Sequence, residues 1–272
     1  MNLYEMLEEA LCSDSITTKE KLTRQCFEYC NQNEFIDSSN FFPKEFNSPS
    51  YSDICTIVKP KALVARKDFH TDEGLASLVH SIAHIEYSAI DLALDAVYRY
   101  PEMEQKFKVD WLEVALDEIR HYRMLEALLS DLGFKYGDFT VHSGLFDASQ
   151  KTAKSLLERM AIIPRYYEAS GLDVTPQILK KLENKRKLAS VKKLIECLDI
   201  IYKEEIVHVQ KGDYWFKKVC ALEEKEVSVY FDILEQYHIL DKHRPHINVD
   251  ARKEAGFTCS EIKKLGNVEC SE

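Results

Sequence analysis

Asp117-Glu118-Ile119-Arg120-His121 and, much later, Glu204-Glu205-Ile206-Val207-His208 decide the reading of this chain. In each stretch a Glu and a His stand three positions apart, so on a helix both project from one face and can hold one metal ion between them. One such pair is common by chance. Here each pair follows a helix-like stretch with one Glu on its apolar face: Glu86, thirty-two residues before Glu118, and Glu168, thirty-seven before Glu205. Two lone Glu plus two Glu-x-x-His pairs on four helices form the ligand set of di-iron and di-manganese carboxylate bundles. The expected fold is therefore all-α, a four-helix bundle with extra N- and C-terminal helices.

The apolar stripes support that reading. A helix over 72–99 places Leu75, Val79, Ile82, Ala89, Ile90, Ala93 and Val97 on one face, with Glu86 among them. A buried carboxylate with no partner costs several kcal/mol, so that position needs a cation, a donor or a proton. The next helix, 105–132, carries Glu118 and His121 inside a face built from Trp111, Val114, Ala115, Leu125 and Leu129, and Gly133 reads as its C-cap. The spacing places a long crossover at 134–150 and a third core helix at 151–170, where Pro164 should kink the chain one turn before Glu168. Gly171 reads as its cap, with a new helix starting at Thr175-Pro176. A fourth helix, 189–218, carries Glu205 and His208 on a stripe with Leu194, Leu198, Ile201, Gly212 and Trp215.

Four carboxylates and two imidazoles bring a formal charge that two divalent cations offset, and the oxygen-rich set favours iron, or alternatively manganese or a mixed pair, over zinc. The expected ligands are Glu86, Glu118, His121, Glu168, Glu205 and His208. Asp117 and Glu204 precede ligands and are candidates for accepting the free N–H of a ligating His. Tyr122, Tyr166 and Tyr167 adjoin the ligands and suit electron relay or a pocket wall, although aromatic core packing is the commoner role. His84 falls roughly 200° around the helix from Glu86 and is expected, with His80, to hydrogen-bond within the fold. Glu235 and His238 make a competing pair, but no lone-Glu helix precedes it.

Around this core, residues 1–70 read as two short helices, the second opened by a Thr17-x-x-Glu20 capping box, and an extended arm, with the bundle at 71–220 and a helix and tail at 221–272. A net charge of −10 argues against a protein coated in basic surface for duplex DNA. The one dense basic run is Lys180, Lys181, Lys185, Arg186, Lys187, Lys192 and Lys193, either a solvated helix face or a strip for RNA phosphates. Eight cysteines contain no C-x-x-C, and no signal-like or membrane-spanning stretch occurs, so reduced thiols in a cytoplasm are expected. Cys26 and Cys30, at i and i+4, read as buried thiols.

These residues resemble the ferritin-like superfamily and, more closely, one of its bacterial domain-of-unknown-function families related to di-iron tRNA hydroxylases. The carrying stretches are His84-Ile85-Glu86, Asp117 to His121, Tyr136-Gly137-Asp138, Glu168 to Asp173, Glu205 to Val209 and Asn248 to Phe257. Asp-Glu-x-Arg-His is also similar to a helix motif of bacterial multicomponent monooxygenases. The resemblance implies a ferritin-like bundle with two iron ions. Ser170 departs from it, standing where the family pattern has Arg, and Glu204 stands where the pattern has Asp.

The expected activity is a non-haem di-iron or di-manganese oxidoreductase that uses dioxygen or a peroxide to hydroxylate an organic substrate, with a modified nucleoside in tRNA as one candidate and a reductase as electron-donating partner. The alternatives are ferritin-like metal storage or peroxide detoxification, and a scaffold with a structural metal.

Overall fold

The computed structural model describes residues 2–33, 36, 38–63, 71–240, 246–266 and 268–271. The end of the expected arm, 64–70, and residues 241–245 of the expected helix and tail lie outside the described residues. All regular structure among the described residues is helical, apart from one isolated parallel bridge between Ile57 and Val141. The chain divides into two compact units, Met1–Asp147 and Ala148–Glu272, so the segment 71–220 is shared between them.

In the first unit, α1 (Leu3–Cys12) and α2 (Ile16–Gln32) lie against the long pair α3 (Asp72–Arg99) and α4 (Gln105–Asp131). α2 begins at Ser15, whose side chain accepts from the Thr18 amide, and not at the expected Thr17 cap. Glu20 is instead engaged by Arg24 and Arg123. Thr71 caps α3 by accepting from the Gly74 amide, and Asp72 and Glu73 complement the helix dipole. Pro101 stops it from continuing beyond Tyr100. Gly133, at φ +82°, ends α4 in the left-handed conformation, as expected. The whole α3 stripe read from the sequence is buried. At roughly 1.5–3 kcal/mol per large aliphatic side chain, that burial is what holds two such helices together.

The crossover is not irregular throughout, because α5 (Gly144–Lys151) forms within it and carries the boundary between the units. Gly137 sits at φ +102°, where an added Cβ would lie 2.6 Å from the Ile54 carbonyl oxygen. Its amide donates to His80 Nε2 at 2.9 Å, and the preceding Tyr136 stacks on the His80 ring.

In the second unit, α6 (Leu156–Ile162) runs into a π-turn over Ile163–Glu168 and then into α7 (Ala169–Glu183), all packed on α8 (Ala189–Leu222). The Pro164 distortion is present, as a widened turn. The expected break at Gly171 and restart at Thr175 are not: α7 passes through both with Pro176 inside it. Pro176 has no N–H for the Leu172 carbonyl four residues back, and Asn248 Nδ2 donates to that oxygen instead at 3.3 Å. The helix expected within 221–272 is present but short, as α9 (Val229–Gln236), and the tail after it adds α10 (Val249–Glu254) and α11 (Cys259–Leu265). Cys26 and Cys30 are buried thiols. The expectation of eight reduced cysteines fails at Cys259 and Cys270, which form a disulfide across a Cα separation of 5.4 Å. No described helix is long and apolar enough to cross a membrane.

Candidate metal centre

Glu86 on α3 and Glu118 and His121 on α4 meet inside the first unit, with their ligand atoms within 4.8 Å of one another. Glu118 and His121 are fully buried and Glu86 is 4% exposed. His121 Nδ1 donates to Glu86 Oε2 and to Glu118 Oε2, each at 3.2 Å. Burial opposes charge on this imidazole, but hydrogen bonds and charge from Glu118 and Glu86 outweigh it and lift its pKa to about 11. The carboxylate pair therefore draws a positive charge into an apolar helix interface. A metal cation meets the same demand, and its uptake there competes with protons. These three residues could hold a metal ion.

The second unit carries the other three expected ligands. Glu168 closes the π-turn, and Glu205 and His208 lie one helical turn apart on α8, with His208 Nδ1 3.7 Å from Glu205 Oε1. His208 is buried while both carboxylates are half-buried. α8 approaches the π-turn closely because residue 212 is glycine: a Cβ there would lie 2.2 Å from Pro164 Cβ.

The neighbours divide by role. His84 Nε2 donates to the His142 carbonyl at 3.0 Å, which leaves Nδ1 to accept from Tyr136 Oη at 2.9 Å, so the fold itself holds His84 as expected. Tyr122 packs edge-on against Tyr87 and Tyr136, and Tyr166 against Tyr167. Asp117 pairs with Arg120 at 2.7 Å, and Glu204 is half-buried on α8. Glu235 and His238 do not share a helical face, since α9 ends at Gln236 and His238 turns to φ +53°. The basic run is exposed except for half-buried Lys185, with Arg186 paired to Glu183 and Lys192 to Glu196.

Residues 12–263 match the model of the family described as "Protein of unknown function (DUF455)". The chain belongs to the DUF455 family. It is also 39% identical over 224 residues to a Haemophilus influenzae protein described as an uncharacterized protein, covering 78% of this chain and 75% of that one. No solved structure matches.

Sequence reasoning missed the buried ionic groups of this DUF455 chain. Arg165, inside the π-turn, is fully buried between Asp213 and Glu261, with its guanidinium 4.3 to 4.6 Å from the ring centres of Phe216, Tyr230 and Phe257. Arg252, also fully buried, grips Asp173 through Nε and Nη2 at 3.1 and 2.6 Å. Their signal was an Arg and an Asp within three and five residues of Glu168.

Proposed function

We propose that this protein is a non-haem di-metal carboxylate oxidoreductase, with iron as the favoured metal, that oxidises an organic substrate using dioxygen or a peroxide. The observation that carries the reading is the buried triad Glu86, Glu118 and His121, three donors in an apolar setting that already concentrates positive charge. Glu168, Glu205 and His208 repeat the same residue types and spacing. The proposal joins the two triads in one ferritin-like four-helix bundle with a six-residue ligand set, four carboxylates to offset two divalent cations and two imidazoles to supply neutral nitrogen.

Two ions bound there would supply the pair of electrons that reduction of dioxygen or a peroxide requires. The chain's own residues do the rest. Glu86 and Glu118 both accept from His121 Nδ1 and so fix the ring, and Tyr87 and Tyr122 on the same helices keep that interface apolar. Asp117 and Glu204, which precede Glu118 and Glu205, would tune the ligands if they accept the free N–H of a ligating His.

The test is metal analysis of protein purified without oxygen and reloaded with ferrous iron, joined to its optical spectrum as oxygen is admitted. About two irons per chain and a new absorption band are expected. Protein that stays metal-free and indifferent to added iron or manganese would overturn the reading, and a large multi-subunit shell by size-exclusion chromatography would favour storage. A modified nucleoside in tRNA fits as substrate because Lys180, Lys181, Arg186, Lys187, Lys192 and Lys193 are exposed together in an otherwise acidic chain. Reversing the charges of Lys185, Arg186 and Lys187 should then abolish activity on tRNA while metal content stays unchanged.

A further inference from the structure

Glu168 stands on the weakest scaffold of the expected ligands. A π-turn replaces the regular i to i−4 hydrogen-bond ladder with a wider one, and such turns are rare and frequently sit at functional sites. Something must hold the turn open. Two buried ionic contacts from the C-terminal segment reach the chain on either side of Glu168, at Arg165 three residues before it and at Asp173 five residues after it.

On the leading side, Arg165 Nη2 donates to Glu261 Oε1 at 2.7 Å and its Nε faces Asp213 Oδ1 at 3.0 Å. The other Glu261 oxygen, Oε2, accepts from the Thr258 amide and hydroxyl, both at 2.9 Å, so the carboxylate is fixed by the first turn of α11. Tyr230 Oη donates to the Arg165 backbone carbonyl at 2.9 Å, which restrains the π-turn's main chain as well. On the trailing side, Arg252 is bidentate to Asp173, and the Asn248 amide donates to Asp173 Oδ1 at 2.9 Å. Asn248 also satisfies the Leu172 carbonyl that Pro176 cannot reach.

Burying an Arg between two acids is a poor way to gain stability, because apolar residues of like volume do as well or better. Such groups serve best where direction matters, since a forked guanidinium fixes its partners at set angles. We infer that the segment from Asn248 to Glu261 is a splint that sets the π-turn presenting Glu168, acting through the positioning residues Arg165 and Asp173. The metal-related part of this inference rests on the di-metal reading above.

Arg165→Lys, which keeps the charge and loses the fork, and Asp173→Asn, which keeps the shape, test the splint against Leu194→Ala, a core truncation on α8 that lowers the melting temperature without touching the network. Metal affinity is read on the folded fraction, together with the visible spectrum of the Co(II)-loaded protein. Both network variants should bind metal at least about tenfold more weakly, with a shifted cobalt band, whereas Leu194→Ala keeps the wild-type affinity and band. Wild-type affinity and spectrum in the two network variants would overturn the splint, as would equal losses in Leu194→Ala. If Arg165→Lys does not fold, Glu261→Gln, which keeps the acceptor and removes the charge, takes its place with the same two outcomes. Should the wild type itself bind no metal, the di-metal reading falls, and hydrogen exchange of the amides at 163–169 still decides the splint. Faster exchange there in the network variants than in Leu194→Ala supports it, and equal exchange overturns it.

Discussion

The two halves of the proposed ligand set use the same residue types on different scaffolds. Glu86, Glu118 and His121 stand on two uninterrupted α-helices, all buried, with the imidazole held at 3.2 Å by both carboxylates. Glu168, Glu205 and His208 combine a π-turn with an α-helix, leave their carboxylates half-buried, and keep the His and Glu of one helix 3.7 Å apart. The first triad is ordered by its own hydrogen bonds. The π-turn that carries Glu168 is braced from behind, by Pro164 against Gly212 and by the C-terminal ion pairs. Preorganisation of a site can thus come from within the ligand set or from the scaffold under it, and the two kinds fail differently.

The largest expected effect follows from that contrast. Glu118→Ala or His121→Ala removes a fully buried donor from the self-ordered triad and should weaken metal binding by more than about a hundredfold, beyond what loss of a neighbouring group produces. Glu168→Ala or Glu205→Ala should cost less, since those carboxylates are only half-buried. Isothermal titration with a divalent metal under nitrogen measures both, and equal losses in the two triads would break the comparison.

Next come two glycines of the second unit with opposite signs. Gly212→Ala would put a methyl 2.2 Å from Pro164 Cβ, so α8 and the π-turn must separate, and a loss of about 1–3 kcal/mol is expected. Gly171→Ala meets nothing within 4 Å inside α7 and should gain roughly 0.5–1 kcal/mol. Urea denaturation of both variants checks the pair, and a neutral Gly212→Ala would show that the close approach is dispensable.

The long helices were legible in the sequence because their signal is redundant. Eight positions of α3 repeat one period, and its bounds at Asp72 and Arg99 follow from Thr71 before it and Pro101 after it. Glu86, Glu118 and His121 were legible for a related reason, as polar residues on apolar faces. What stayed hidden depended on contacts far apart in the chain. Pro176 and Gly171 read as a helix break because the donor that repairs Pro176, Asn248, lies seventy-six residues away from the carbonyl it serves. The Cys259 to Cys270 bridge has no spacing signature, and Arg165 looks like any surface arginine until Asp213 and Glu261 close on it.

A pH scan sharpens the scaffold side of the comparison. Burial pushes the Glu261 carboxyl up, but the charge and hydrogen bond of Arg165 and the two Thr258 donors outweigh it and hold it below the usual range. A carboxylate depressed in the folded state contributes stability above its unfolded pKa of about 4.3, and that contribution disappears as pH falls through the lower folded value. Asp213, pushed up by burial against the pull of Arg165 and Lys217, contributes with the opposite sign. Glu261→Gln should therefore flatten the acid limb of a melting-temperature profile below about pH 5, and an unchanged slope there would remove Glu261 from the ionic lock.

The smallest effect is expected at Ser170. Its Oγ donates to the Tyr166 carbonyl at 2.5 Å, four residues back and inside the π-turn, where the widened ladder makes such a side-chain donor useful. Ser170 is half-buried, so water can replace much of what the hydroxyl supplies. Ser170→Ala should then cost about 0.5–1.5 kcal/mol and leave metal affinity within a factor of about three, well under the 1.4 kcal/mol that a tenfold change represents. A tenfold loss of affinity would mean that the turn depends on its internal bond more than on the ion pairs behind it, and the distinction between the two triads would then have to be drawn inside the π-turn itself.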